Sequence, residues 1–186
     1  MPVVALMLNF AWETLYAIIG LLYARYHRQT WWDVLWMLTD LGIIYTYFAY
    51  GRTEFPPFIT RSVFYFWSLL LLTIAFFIQI AFLAEVEGPI GAVNYSAFLQ
   101  NAFMSGSFIV MFIARGGNRG QSLTIAVGKC IGSIAPVILL SARSKYVLLV
   151  GLVIVILDVI YIGLLAYAKR IGGTLTSSAS MKALKA

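Results

Sequence analysis

The sequence predicts an all-α fold, a polytopic transmembrane bundle of six spans, and three observations carry that prediction. First, 62% of the 186 residues are apolar and 11% are charged, whereas a soluble domain carries about 25% charged residues. Thirteen basic and seven acidic side chains cannot furnish the polar exterior that water demands. Second, the apolar residues fall into six runs of the length, about 20 residues, that crosses a bilayer core about 30 Å thick. Third, short loops with turn chemistry separate those runs. Backbone polar groups in lipid must be satisfied within the segment, so the runs should be helices.

The first run, Val3–Ala24, has no charged stretch before it and no small-residue cleavage site, so it reads as a retained span and not a signal peptide. The second is Trp31–Tyr50, stopped by Phe55-Pro56-Pro57-Phe58. The third, Arg61–Ala84, reads as the least polar, with Ser62, Ser68, Thr73 and Gln79 its main exceptions, and is expected to face lipid. Glu87-Gly88-Pro89-Ile90-Gly91 separates it from the fourth, Asn94–Ala114. The loop from Arg115 through Gly116, Gly117, Asn118 and Arg119 to Gly120 leads into the fifth, Gln121–Leu140. In the fifth, Gly128 and Gly132 predict close helix packing and Pro136 predicts a kink. The sixth is Tyr146–Ala168. Residues 1–170 thus form one membrane domain, and 171–186, rich in Ser, Thr and Gly, are expected to be a disordered cytoplasmic tail. No internal repeat is visible.

Orientation follows the distribution of Lys and Arg. Arg52, Arg61, Arg115, Arg119, Lys169, Arg170, Lys182 and Lys185 fall on one side, against Arg25, Arg28, Arg143 and Lys145 on the other. Both termini are therefore predicted to be cytoplasmic. The loop holding Glu85 and Glu87 fits the far side. The net charge of +6 is scattered among loops, so no nucleic-acid partner is expected. With one histidine, His27, and one cysteine, Cys130, neither a disulfide framework nor a zinc or haem site is expected, and no cofactor is implied. Tyr26, Trp31 and Trp32 suit the interfacial aromatic belt.

Four ionisable residues remain near the middle of their spans: Glu13, Asp40, Lys129 and Asp158. A charge at that depth costs about 2.5–3.5 kcal/mol even on lenient insertion scales, so each is a candidate functional group. Lying at one depth, three acids and one base can converge on one cavity. Helical spacing adds detail. Asn9, Trp12, Glu13, Tyr16, Gly20 and Tyr23 form one stripe of the first helix. Trp36, Asp40 and Tyr47 share a face of the second; Asn101, Ser105, Phe108 and Phe112 share one of the fourth; Asp158, Tyr161 and Leu165 line up in the sixth. Asp40 also reads as a partner for Lys129, Glu13 or Asp158 could instead make a structural interhelical hydrogen bond or pair with that lysine, and Asn101 and Ser105 serve equally as helix glue.

Glu13 and Asp158 each have a tyrosine three residues on, and the first stripe adds an indole. A carboxyl in a dry pocket holds its proton to higher pH than one in water, and can donate it to an alkene or an epoxide. The resulting carbocation is stabilised by the π faces of Trp and Tyr. A second carboxylate holds the first in its acid form or takes up the terminating proton. That combination suits proton-initiated cyclisation of a terpene already dissolved in the membrane.

The Asn9-x-x-Trp12-Glu13-x-x-Tyr16 stripe and the Asp158-x-x-Tyr161 pair resemble the integral membrane terpene cyclases of meroterpenoid and indole-terpene biosynthesis. Trp32-Asp33 with Trp36 and Asp40, Gln100-Asn101-x-x-Met104-Ser105, and Arg119-Gly120-Gln121-Ser122 are similar too, so the resemblance covers nearly the whole chain. It implies a metal-free cyclase acting on a lipophilic prenylated small molecule. Its essential carboxylates would be Glu13, as proton donor, and Asp158. Asn9, Trp12, Tyr16, Trp36, Asp40, Asn101, Ser105 and Tyr161 are the residues expected to bind substrate or stabilise the cation. The family is described with seven spans, one more than the six read here, whose first would correspond to its second.

Two other classes also use intramembrane acids or cations. A small proton-coupled transporter or channel is disfavoured by the lack of an inverted repeat, and a sterol-isomerase-like enzyme by the lack of an intramembrane histidine. No DDxxD-type cluster for Mg²⁺ and diphosphate is present, which argues against soluble terpene-synthase chemistry.

Overall fold

A computed structural model of the chain describes residues 2–86, 89–142 and 144–183, with side chains up to residue 171 except those of 89 and 90. Glu87, Gly88 and Arg143, expected in loops, lie outside the described residues, as do the side chains of the expected tail beyond 171. The described elements are all helical: α1 (Val3–Tyr23), α2 (Arg28–Tyr50), a 3-10 turn (Gly51–Glu54), α3 (Arg61–Glu85), α4 (Pro89–Ala114), α5 (Leu123–Ser141) and α6 (Lys145–Ala183). The helix starts are set by local chemistry. The Thr60 hydroxyl accepts from the Val63 N–H at 3.3 Å, and the Ser122 hydroxyl from that of Ile125 at 3.5 Å. His27 Nδ1 accepts from the Gln29 N–H at the start of α2. α4 begins five residues before the expected Asn94, at Pro89, where the missing N–H of proline would have no helical partner anyway. It ends in a Schellman motif: the Gly117 N–H bonds the Phe112 carbonyl, and the Gly116 N–H that of Ile113, both at 3.1 Å. Gly116 (φ 65°), Gly117 (φ 145°) and Gly120 (φ 69°) carry the turn in backbone states that side chains resist.

Five of the six helices are long and apolar enough to cross a membrane. The exception is α2, whose Arg28, Asp33 and Asp40 accompany Trp and Tyr side chains that add little hydropathy. The most apolar helix is α6, not α3, since α3 carries Gln79 and its hydroxyl residues. α3 nevertheless leaves Phe66, Leu69 and Phe77 exposed, as α5 does Ile125, Ile131 and Ile138. Such surfaces suit lipid and not water.

The chain divides into two compact units, Met1–Gln100 and Asn101–Ala186, with the boundary inside α4. In the first unit α1 packs on both α2 and α3. Leu6, Met7, Ala11, Ile44 and Ala75 form its core, with Phe10, Leu72 and Phe76 around them. Gly20 lets α1 approach α2 closely: a Cβ there would lie 2.8 Å from the Thr30 side chain. In the second unit α5 packs on α6. Ala126, Tyr161 and Leu165 are its buried centre, flanked by Phe108, Phe112 and Leu123. The glycine that permits this approach is Gly151, whose Cβ would meet Val137 Cγ2 at 2.6 Å. Gly128 and Gly132, expected to serve that role, have nothing among the described residues within 4 Å of where a Cβ would stand. Spacing showed that small residues lie on one face, but not which face meets a neighbour. Pro136 lies within α5, which continues to Ser141.

Candidate active site

In the first unit, the stripe of α1 becomes the wall of a buried polar cluster. Glu13 and Asp40 are 7% and 6% exposed, and the half-buried Asn9 joins them. Asn9 Nδ2 donates to Glu13 Oε1 at 2.8 Å and to Asp40 Oδ2 at 2.7 Å. One carboxamide therefore holds two acids from different helices, their accepting oxygens separated by less than the sum of two hydrogen bonds. Glu13 Oε2 is buried and has no hydrogen-bond partner among the described residues. Asn9 Oδ1 accepts in turn from Gln100 Nε2 at 2.8 Å, and Gln100 Oε1 from Gln79 Nε2 at 3.3 Å.

The aromatic part of the stripe is fixed by α4. Trp12 Nε1 donates to Ser96 Oγ at 2.9 Å, and the Tyr16 hydroxyl lies 3.4 Å from the same oxygen. Because the Ser96 hydroxyl hydrogen is used on the Ala92 carbonyl at 2.7 Å, Tyr16 is the donor of that pair. The two rings stand 5.0 Å apart, tilted by 54°. Both are buried, so the stripe that carries Glu13 also carries an indole and a phenol packed on each other with their polar ends satisfied.

The second unit holds a separate cluster. Lys129 Nζ donates to Asp158 Oδ1 at 2.8 Å and Oδ2 at 3.0 Å, and to Ser105 Oγ at 2.7 Å. Asp158 is 1% exposed. The Ser105 hydroxyl donates to the Asn101 carbonyl at 2.9 Å, and Asn101 Nδ2 donates to Ser133 Oγ at 3.0 Å. Tyr161 donates to Gln121 Oε1 at 2.8 Å and stacks on Phe108, ring centroids 5.4 Å apart. Its hydroxyl is thus spent on Gln121 and not on Asp158.

The expected residues are accordingly distributed. Asn9, Trp12, Glu13, Tyr16 and Asp40 are gathered in the first unit, and Asn101, Ser105, Asp158 and Tyr161 in the second. The pairing of Asp40 with Lys129 is corrected: Asp40 bonds Asn9, and Lys129 is taken up by Asp158. Sequence spacing placed both acids at one depth but could not choose between them. Trp36, one turn before Asp40 on α2, is 44% exposed. Gln79, Ser96 and Gln100 are site residues that spacing passed over. Ser96 and Gln100 stand four apart on α4, the same signal as Asn101 and Ser105 on its adjacent face. Asp33, 7% exposed and bonded to Gln29 at 2.7 Å, is a further buried acid on α2. No group of three or more His, Cys, Asp or Glu that could hold a metal ion occurs among the described residues.

Comparison with known proteins gives the chain a family. The model of the Pyr4-like transmembrane terpene cyclases matches residues 1–171. The chain belongs to that family. Similar relatives include terpene cyclase pyr4 of Aspergillus fumigatus, 27% identical over 148 residues, which are 78% of this chain and 60% of the relative. Terpene cyclase atmB of Aspergillus flavus is 29% identical over 150 residues, 78% of this chain and 59% of the relative. Terpene cyclase paxB of Penicillium paxilli is 25% identical over 150 residues, with the same two shares. The chain therefore spans about three fifths of the length of the curated relatives it matches. No solved structure matches it. Family membership and the five apolar helices together make it an integral membrane protein.

Proposed function

We propose that this protein is a membrane terpene cyclase that starts the reaction by protonating a prenyl chain from Glu13. The observation that carries this reading is the Glu13–Asn9–Asp40 cluster: two buried acids bridged by one amide, beside the packed rings of Trp12 and Tyr16. Two anionic carboxylates so close, with no cation between them, repel each other, so the pair is expected to share one proton. Glu13 Oε2, the oxygen without a partner among the described residues, is the atom placed to release it.

The step is balanced without a co-reactant. The π electrons of the alkene, or a lone pair of the epoxide oxygen, take the Glu13 proton, leaving the carboxylate. Positive charge appears on carbon, and the next double bond attacks it to close a ring. Loss of a proton from the final cation regenerates an alkene, so the product is an isomer of the substrate. Trp12 and Tyr16 offer π faces to the cation, an interaction of about 2 kcal/mol when desolvated. Asp158, paired with Lys129 in the second unit, is the second carboxylate assigned to the reaction, as the group that takes up the terminating proton, and Glu13 is then reprotonated from water. The substrate class is a prenylated aromatic small molecule that partitions into the bilayer. Both termini are assigned to the cytoplasmic side. Incubating membranes that contain the protein with a panel of prenylated and epoxyprenylated aromatics tests the reading. A cyclised isomer of unchanged mass, formed only when the protein is present, is the expected outcome. Recovery of every substrate unaltered would sink it.

A further inference from the structure

We infer that Gln100 and Gln79 are positioning residues that decide which oxygen of Glu13 carries the transferable proton, by fixing the orientation of the Asn9 carboxamide. The inference rests on the reading of Glu13 as proton donor. Its physical basis is the one-way character of the amide chain. An ionised carboxylate can only accept hydrogen bonds, and the Asn NH₂ group has two hydrogens to give. Asn9 spends one on Glu13 Oε1 and the other on Asp40 Oδ2. That leaves Asn9 Oδ1 needing a donor, which Gln100 Nε2 supplies at 2.8 Å. Gln100 must then present its carbonyl to α3, where Gln79 Nε2 donates to it at 3.3 Å. Turning over Asn9 or Gln100 would set NH₂ against NH₂ on one side and oxygen against oxygen on the other; turning over Gln79, whose Oε1 has no hydrogen-bond partner among the described residues, would set its oxygen against that of Gln100. All three amides therefore point their donors toward the acids, and each bond polarises the next.

The consequence lies at the chemical end of the chain. With Asn9 held as a donor, Glu13 Oε1 is occupied as an acceptor. A proton on Glu13 is then directed to Oε2, which makes no hydrogen bond to a described residue and can pass the proton to a carbon atom. Were Asn9 free to invert, its carbonyl would accept the acid proton and retain it. Gln79 is 2% exposed and Gln100 8%, so solvent cannot take over their part.

Infrared difference spectroscopy of the full chain in lipid bilayers tests this without a substrate. The carbonyl stretch of a protonated acid, identified as the band that Glu13→Gln removes, reports the hydrogen bonding of that group. Gln100→Met, similar in size but without the donor, is expected to shift the band, and Gln79→Met to shift it in the same direction by less. A band unmoved in both variants, or no Glu13-dependent band at all, overturns the inference. Where Gln100→Met does not accumulate as helical protein, Gln79→Met decides alone, since it touches neither Asn9 nor Glu13. With a substrate the wild type accepts, Gln79→Met should lower kcat about tenfold while KM stays within about twofold; unchanged kcat counts against the relay. Shifted bands with an active Glu13→Gln would uphold the relay and remove the proton-donor reading. An inactive Glu13→Gln with unmoved bands would do the reverse.

Discussion

Replacing Lys129 by Met should unfold the second unit, and replacing its partner Asp158 as well should restore it. The ammonium group places its three protons on Asp158 Oδ1, Asp158 Oδ2 and Ser105 Oγ, at 2.8, 3.0 and 2.7 Å. Asp158 is 1% exposed, so no solvent can replace the lost cation. Removing one member of such a buried pair costs about 3–5 kcal/mol, whereas removing both charges should recover much of that loss. The smaller figure is already more than a hundredfold in the folding equilibrium. Unfolding in detergent micelles, followed by loss of helical circular dichroism, would measure Lys129→Met, Asp158→Asn and the double variant. Single variants within about 1 kcal/mol of wild type would refute this account of the pair. The cycle also separates structure from chemistry at Asp158. An inactive Asp158→Asn alone is ambiguous, because the variant strands a buried lysine. If the refolded double variant is still inactive, the charged pair is needed for the reaction; if it turns over at the wild-type rate, Asp158 is structural only.

Other expectations are more local. Ser96→Ala orphans the buried Trp12 indole N–H and removes the Tyr16 contact, so stability should fall by about 1–3 kcal/mol in thermal unfolding. Gly151→Ala drives a Cβ against Val137 and should cost about 1–3 kcal/mol. Gly128→Ala, with nothing within 4 Å, should stay within about 0.5 kcal/mol by the same assay. If both termini are cytoplasmic, a cysteine at Asn118, in the loop between α4 and α5, should react with an impermeant thiol reagent only after cells are opened. One at Tyr26, between α1 and α2, should react with intact cells; the opposite pattern reverses the topology.

The helices were largely legible because lipid imposes a length and a composition that any reader can count. The expected start at Arg61 matches α3, which Thr60 caps; the one at Gln121 lay two residues ahead of Leu123, where Ser122 caps α5, and Pro89, read as a breaker, opened α4 instead. α2 was legible as a helix, but its acids and aromatic side chains keep it short of the hydropathy of the other five. At the site, the stripe of α1 was readable from its i, i+4 and i+7 spacing, because Glu13, Asn9 and Tyr16 share one helix. Partners on other helices were not readable in that way. Depth placed Asp40 and Asp158 equally well for Lys129, and only packing assigns the lysine to Asp158. The same limit hid Gln79, a lone polar residue until α4 supplies its bond, and left the partners of Ser96 and Gln100 unread, although the two stand at helical spacing. Trp36 shows the converse: spacing sets it beside Asp40, yet it is 44% exposed while Asp33 and Asp40 on either side of it along α2 are buried.

The role of Glu13 is tested most directly by the cyclisation rate of Glu13→Gln, measured against wild type at equal amounts of folded protein in membranes. The glutamine keeps the shape of the acid and can still accept from Asn9, but it has no proton to give. The account predicts a loss of at least about a hundredfold, the scale of general-acid catalysis. A Glu13→Gln protein that cyclises within a few-fold of the wild-type rate would contradict it.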